Sequence, residues 1–338
     1  MTGSSRSSVL GLLLVGAVLG GLGAWWLFSA PETRSLPRES PQDDLQMLAA
    51  LTDGATAASP ADILVAGPGR TILARASDRT VLTYPEDGGA PVVLARLSAP
   101  ARAMALVGEV LWVASRDQIL KLPLAGSGGG EPAVLPCHLA GPRALDADAR
   151  RVFVVDVAPG ASGLTRASTI VRVDAATGAT TVLGRSSGEV TNVAIDADHV
   201  YWADRLEGSI VAAPIDGGPL RALATDRGLP GSIAIGGDGL VWVEKRSESL
   251  WTMARTGGAP RQLVQDFAGF TDVVVDAHNV YWATEDAVDG FFRVLQVPIG
   301  GGQAMPLSPG VASIDALATD GVRLVWEHAG RVETLARP

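Results

Sequence analysis

One cysteine in 338 residues, Cys137, leaves nothing from which to build an intrachain disulfide or a cysteine-cluster zinc site. Basic residues are also short: 27 Lys and Arg against 36 Asp and Glu give a formal net charge of −9. With a sequence pI near 5.0 there is no cationic surplus to neutralise phosphates, which excludes a nucleic-acid partner. Lysine itself is nearly absent, with 2 Lys to 25 Arg, a bias that points to GC-rich bacterial coding. Only four histidines occur, His138, His199, His278 and His328, and none forms HExxH or a close pair, so zinc hydrolysis has no local support. The chain has no GxSxG elbow, no P-loop and no GxGxxG opening a helix. Cys137 beside His138 is a dipeptide and not a catalytic geometry.

The residues present describe a folded and exported chain. Hydrophobic residues make up 47%, which excludes a disordered tail, and 40 glycines, about 12% against the usual ~7%, call for many tight turns. A short tail (1–8) precedes Val9–Phe28, 20 residues without a charge, roughly 30 Å as a helix and enough to cross a bilayer's hydrocarbon core. Trp25 and Trp26 stand at its end, where an interfacial aromatic belt belongs. The rival reading is a cleaved signal peptide, but Phe28 before Ala30 and Pro31 after it suit cleavage badly. Segment 9–28 is therefore expected to be an uncleaved, single-pass signal-anchor helix. Arg6 on one side nearly balances Arg34 and Arg38 on the other, and the very short tail favours an inside amino terminus. The remainder then lies on the extracytoplasmic side, periplasmic or extracellular. Residues 29–44, polar and carrying three prolines, read as a semi-extended linker.

Beyond the linker the chain repeats. Trp112, Trp202, Trp242, Trp282 and Trp326 recur in similar strings (VLWVA, VYWAD, LVWVE, VYWAT, LVWEH) at spacings of 90, 40, 40 and 44. The 90 conceals one divergent unit with RVFVVD at 151–156. About twenty residues after most of them comes a glycine landmark: Gly88-Gly89, Gly129-Gly130, Thr177-Gly178, Gly217-Gly218, Gly257-Gly258 and Gly301-Gly302. These pairs suit two-residue hairpins, which need φ > 0 at both central positions. Each unit reads as four short strands, and a strand-built period of ~40–50 residues is the signature of a β-propeller. Units start near residues 63, 102, 143, 192, 232, 272 and 313, and the last is one strand short. At the other end LQMLAALTDG (45–54) resembles PLRALATDRG (219–228), so strand 45–52 is expected to complete the last blade (313–338). Residues 45–338 shared among seven blades allow 42 each, whereas six blades, the alternative, would need 49 and outrun the observed spacing. The expected fold is all-β, a seven-bladed propeller spanning 45–338.

VYWAD at 200–204 and VYWAT at 280–284 resemble the YWTD signature of one propeller family, and the turn-rich units resemble NHL-type and lactonase-like propellers. The likeness spans most of 45–338 at the level of the repeat, with Leu73 and Val154 in place of the aromatic and the signature Asp matched at Asp204 and Asp156. It implies a fold and barely touches function.

Repetition separates scaffold from site. Asp196, Asp276 and Asp320 each stand six residues before a tryptophan, which marks a turn-forming carboxylate and not a unique catalytic acid. His199 and His278 fall in the turn between first and second strands and read as turn filler. TEDAVDG (284–290) places Glu285, Asp286 and Asp289 together, so calcium or another divalent ion is conceivable, but the full DxDxDG order is missing and a solvated acidic loop is the plainer reading. No other cofactor is implied. A ligand site is expected at the mouth of the ring, on polar residues unique to one blade: Arg143, Asn192, Asp204, Arg205, Glu244, Lys245, Asp272, Glu285, Glu327 and His328. Two functions are open. The favoured one is a membrane-tethered module that binds or scaffolds a protein or small-molecule ligand. The alternative is a metal-dependent propeller enzyme, a lactonase-like hydrolase or a lyase.

Overall fold

The computed structural model describes residues 62–86, 89–124, 131–158, 167–265, 270–286 and 288–336. The tail, the 9–28 span, the 29–44 linker and the 45–52 strand expected from the sequence lie outside these residues. Among the described residues no helix is long and apolar enough to cross a membrane.

Seven antiparallel sheets follow one another along the chain, which decides between seven blades and six. Six have four strands ordered as in sequence, and the seventh has three described strands. The innermost strands are Ile63–Gly67, Ala101–Val107, Pro142–Ala147, Val193–Ile195, Pro230–Gly236, Phe270–Val275 and Ala316–Thr319, each within three residues of its expected start. Each innermost strand neighbours the next, and the last neighbours the first, so the blades (1 to 7 in chain order) close a ring.

Local chemistry explains why each unit turns where it does. The Asp196 carboxylate accepts the N–H groups of Asp198 (2.9 Å) and His199 (2.8 Å) on one oxygen and the Tyr201 hydroxyl (2.8 Å) on the other. Asp276 does the same with His278, Asn279 and Tyr281 (2.8, 2.8 and 2.6 Å). Asp320 binds the N–H groups of Val322 (2.9 Å) and Arg323 (2.7 Å) and the Arg323 guanidinium (2.8 Å). A fourth member, Asp148, accepts from the N–H groups of Arg150 and Arg151 (both 2.7 Å) and stands six residues before Val154 in the divergent blade. Each side chain thus closes its own turn between first and second strands.

The glycine pairs act differently from the two-residue hairpin expected of them. Gly217 N–H donates to Pro214 O (2.9 Å), with φ of +92° at Gly217 and +147° at Gly218. Strand Ser209–Pro214 and strand Arg221–Ala224 are therefore joined by a longer loop. The pair is the exit from a β-turn, with glycine in its last position.

Seven apolar cores lie between neighbouring blades, one per interface. Trp202, Trp242, Trp282 and Trp326 are buried, each facing the preceding blade, while Tyr201 and Tyr281 on the same strands face the following one. A buried Trp removes roughly 150–250 Å² from water, on the order of 4–6 kcal/mol in transfer terms. Leu73 and Val154 take the Trp position in blades 1 and 3. Trp112 is a correction to the repeat as read from sequence. It points with Ala114 towards blade 3, whereas Leu111 and Val113 point back to blade 1. Its string is offset by one residue, and in a strand one residue exchanges the faces.

Two joints differ in kind. Between blades 3 and 4 the core holds Phe153, Trp202, Ile170 and Leu183, and Asp146 reaches across to accept the Ile195 N–H (3.2 Å). Burial pushes the Asp146 carboxyl up to about 6, and the neighbouring Asp148 charge adds to that. Between blades 7 and 1 the buried core consists, among the described residues, of Leu64, Leu73, Ala316, Ala318 and Val325. Arg323 braces it, donating to Gly67 O (2.7 Å) and Arg70 O (3.3 Å) of blade 1 and pairing with Glu86 (2.7 Å) as well as Asp320. Burial opposes the Asp320 charge, but the two N–H groups and Arg323 outweigh it and hold the carboxyl below its usual range.

Candidate functional site

In every blade the first strand starts, and the second strand ends, at the same rim of the ring. The loops joining second to third strands and one blade to the next therefore share that rim, termed the upper one. All ten residues expected at a site belong to it. Glu244 and Lys245 touch the linker 225–229 between blades 4 and 5, while Asn192, Asp204 and Arg205 stand on neighbouring blade 4 with other partners.

The linker is tied to loops on both sides. Arg227 N–H donates to Gly208 O (2.8 Å), Lys245 N–H to Leu229 O (3.2 Å) and Arg246 N–H to Gly228 O (3.2 Å). Asp226 and Leu229 sit in the left-handed region at φ +57° and +53°, and Glu248 in the facing loop at +43°. Non-glycine residues occupy that region only where the surroundings impose it. The Gly208 position, at φ +59°, admits no side chain, because a Cβ would lie 2.7 Å from Arg227 O.

Arg227, absent from the expected set, is the centre of this arrangement. Its Nε donates to Glu244 Oε1 (2.5 Å), and its guanidinium lies 4.1 Å from the centroid of the Trp251 ring. Glu244 is buried and also accepts from Trp242 Nε1 (3.2 Å), Gly228 N–H (3.3 Å) and Ser247 Oγ (3.4 Å). A buried carboxylate needs such company, since an isolated one is strongly disfavoured. Arg205 pairs with Glu189 (3.2 Å), and its Nε is buried with no hydrogen-bond partner among the described residues. Asp204 is buried and accepts the Glu207 N–H (3.1 Å). The Asn192 amide donates to Ile233 O (2.8 Å) and accepts Ile233 N–H (2.9 Å), which fastens blade 4 to blade 5. Each of these groups is engaged by a neighbouring residue of the fold. A sequence signal for Arg227 existed in the polar string TDRG between two apolar strands, but no repeat position pointed to it.

The other five residues are spread along the rim. Arg143 is exposed on the first strand of blade 3, and Asp272 lies on the first strand of blade 6, its side chain outside the described set. Glu327 is buried and accepts the Gly330 N–H (2.6 Å). Burial pushes its carboxyl up, Asp315 and Asp62 push the same way, and His328 opposes them. His328 Nε2 lies 2.9 Å from Glu333 Oε1. Among the described residues no three of His, Cys, Asp and Glu stand where they could hold one ion.

Exposed Glu285 leads into the loop 286–291, whose acids fold around one cation. Arg293 pairs with Asp286 (2.8 Å) and with Asp289, and holds the Asp289 carboxyl down to about 2. Asp286 accepts the Val288 N–H (2.9 Å), Asp289 accepts the Phe291 N–H (3.0 Å), and Phe292 exchanges two backbone bonds with Val311. On this braced loop Val288 is 95% exposed and Phe291 47%. Sequence reading identifies 284–290 as an acidic loop and overlooks Val288 within it and Phe291 just after it.

The chain matches no protein-family model and no curated protein sequence. Its likeness is to solved structures. A structure of a nidogen/laminin complex aligns at TM-score 0.52 and 20% identity, over 67% of this chain and 89% of that one. The WD40 β-propeller domain of Doa1 aligns at TM-score 0.62 and 11% identity, over 82% and 92%. A putative TolB from Agrobacterium tumefaciens aligns at TM-score 0.52 and 14% identity, over 74% and 94%. What they share with this chain is the fold. At such identities the likeness says nothing about a ligand, and it leaves the YWTD or NHL type of the repeat undecided.

Proposed function

We propose that the chain is a membrane-tethered, extracytoplasmic propeller that binds a protein partner through the upper rim of blade 6. The observation that carries this reading is the loop 286–291, where Val288 and Phe291 stand in solvent on a backbone braced by Arg293 and Val311. Exposed apolar side chains held rigid at a polar rim are what a protein interface uses as anchors, because little conformational freedom is left to lose on binding. The nidogen/laminin structure, a complex between two proteins, gives a precedent for a similar fold in that setting. The uncharged 9–28 segment and the 29–44 linker support the tether.

The test is photo-crosslinking of the full-length protein in its native membranes, with a photoreactive residue at position 288. Val322, 64% exposed in the turn between the first two strands of blade 7 and so on the opposite rim, is the control. One discrete adduct at 288 and none at 322 supports the reading. Equal labelling at both sites, or none at 288, refutes it. A thermal shift with Ca²⁺, Mg²⁺ or Mn²⁺ that EDTA reverses would favour the enzyme reading instead.

A further inference from the structure

Two unrelated properties of the upper rim coincide on the loop 286–291. The loops joining second to third strands in blades 1 to 5 each contain a lysine or arginine, whereas 286–291 contains none and carries Asp286 and Asp289. The same loop presents Val288 and Phe291. Among the described residues the other large apolar side chains that are exposed lie on outermost segments or, as with Val322, on the opposite rim. Exposed hydrophobicity and excess negative charge thus share one short stretch of chain.

The charges are held as firmly as the apolar pair. Glu285 ends the second strand exposed, and its carboxylate makes no hydrogen bond or ion pair among the described residues. Arg293 spans Asp286 and Asp289, which remain 39% and 38% exposed. One guanidinium therefore answers three carboxylates, and the Asp289 carboxyl, held down to about 2 by Arg293, stays ionised near neutral pH. The linker to blade 7 closes on the base of Phe291, since a Cβ at Gly310 would lie 2.8 Å from the Phe291 Cβ.

Taking the upper rim of blade 6 as the docking face proposed above, we infer that the partner presents a basic apolar segment. One aliphatic or aromatic side chain of that segment meets Val288 and Phe291, and flanking Lys or Arg residues meet Glu285, with Asp286 and Asp289 adding to the field. Apolar anchors alone are indifferent to the partner's charge. The carboxylates select its sign, speed the encounter and make association depend on salt. They also disfavour a lipid surface as the occupant, because anionic headgroups repel them.

The test extends the crosslinking at position 288 in native membranes with two readouts, the adduct yield and the sequence of the crosslinked peptide by mass spectrometry. Around its crosslinked residue the peptide should hold more Lys and Arg than Asp and Glu. Glu285→Lys should cut the yield about fivefold or more with Tm unchanged, because Glu285 has no described partner to lose, and Glu285→Gln should fall between. Raising NaCl from about 0.05 to 0.5 M should cut the yield several-fold without any substitution, since screening acts on charges and not on apolar contact. A discrete protein adduct that ignores both Glu285→Lys and salt, or whose peptide is neutral or acidic, overturns the basic assignment and leaves the docking face standing. A lipid adduct overturns it by making the membrane the occupant. No adduct at 288 refutes the docking face itself, and the basic partner with it.

Discussion

The joint between blades 3 and 4 and the joint between blades 7 and 1 solve one problem with different means. The first fills its interface with Phe153, Trp202, Ile170 and Leu183, where the inward-lying Asp146 carboxylate is an electrostatic burden, and its ion pairs from Arg151 and Arg172 run to the exposed Asp216 at the edge. The second has two alanines among its five described buried apolar residues and is braced by Arg323, which reaches two carbonyls and Glu86 across the gap. Apolar burial is indifferent to direction, so it suits blades that arrive in sequence. Arg323 instead demands its partners at fixed positions, and it therefore specifies which blade blade 7 must meet.

The contrast can be broken at four points. Trp202→Ala should cost about 3–5 kcal/mol in chemical denaturation, with no dependence on salt, because it opens a cavity in an apolar core. A loss under about 1 kcal/mol would show that this joint does not rest on packing. Arg323→Ala should cost about 3 kcal/mol by leaving two carbonyls without their side-chain donor and the nearly buried Asp320 carboxylate without its cation. Its effect should shrink at low pH. The Asp320 carboxyl is held down in the folded chain, so its contribution is present above the unfolded value near 3.9 and is lost as pH falls through the folded one.

Asp146 should behave in the opposite sense. Its carboxyl is raised to about 6, so the folded state holds more protons than the unfolded one between about pH 4 and 6, and stability falls as pH rises through that window. Asp146→Asn should flatten this slope and add about 1–2 kcal/mol at pH 7.5, a figure kept modest because the side chain is not fully enclosed. An unchanged pH profile would remove Asp146 from the comparison. Val288→Asp should be smallest in stability, about 0.5 kcal/mol or less, while abolishing the adduct formed by a photoreactive residue moved to position 291. A large loss of Tm would mean that Val288 supports the fold.

The fold was legible because its geometric demands recur. Asp196, Asp276 and Asp320 were visible as turn carboxylates since each closes the same turn at the same distance from a tryptophan. Asp148 does the same work and was hidden only because Val154 replaced the aromatic that would have flagged it. Trp112 was misread for the converse reason: VLWVA resembles LVWVE as a string, and nothing in composition shows which face of a strand a residue takes. The rim was half legible. Position after the second strand picked out Asp204, Arg205, Glu244 and Lys245, but Arg227 lies in a linker, where no period operates and only the fold brings it to Glu244 and Trp251. Val288 and Phe291 escaped because exposure is a property of the surroundings and not of the residue.

The thinness of the outermost strands has a consequence for life in a crowded compartment. Ala133–Val134 and Met305–Pro306 are two residues long, and one of those four has no N–H to offer. At blades 2 and 6 such an edge gives a stray polypeptide almost no ladder to join, whereas Val92–Arg96 and Thr180–Ser186 keep longer ones, so protection against edge-to-edge association is uneven around the ring.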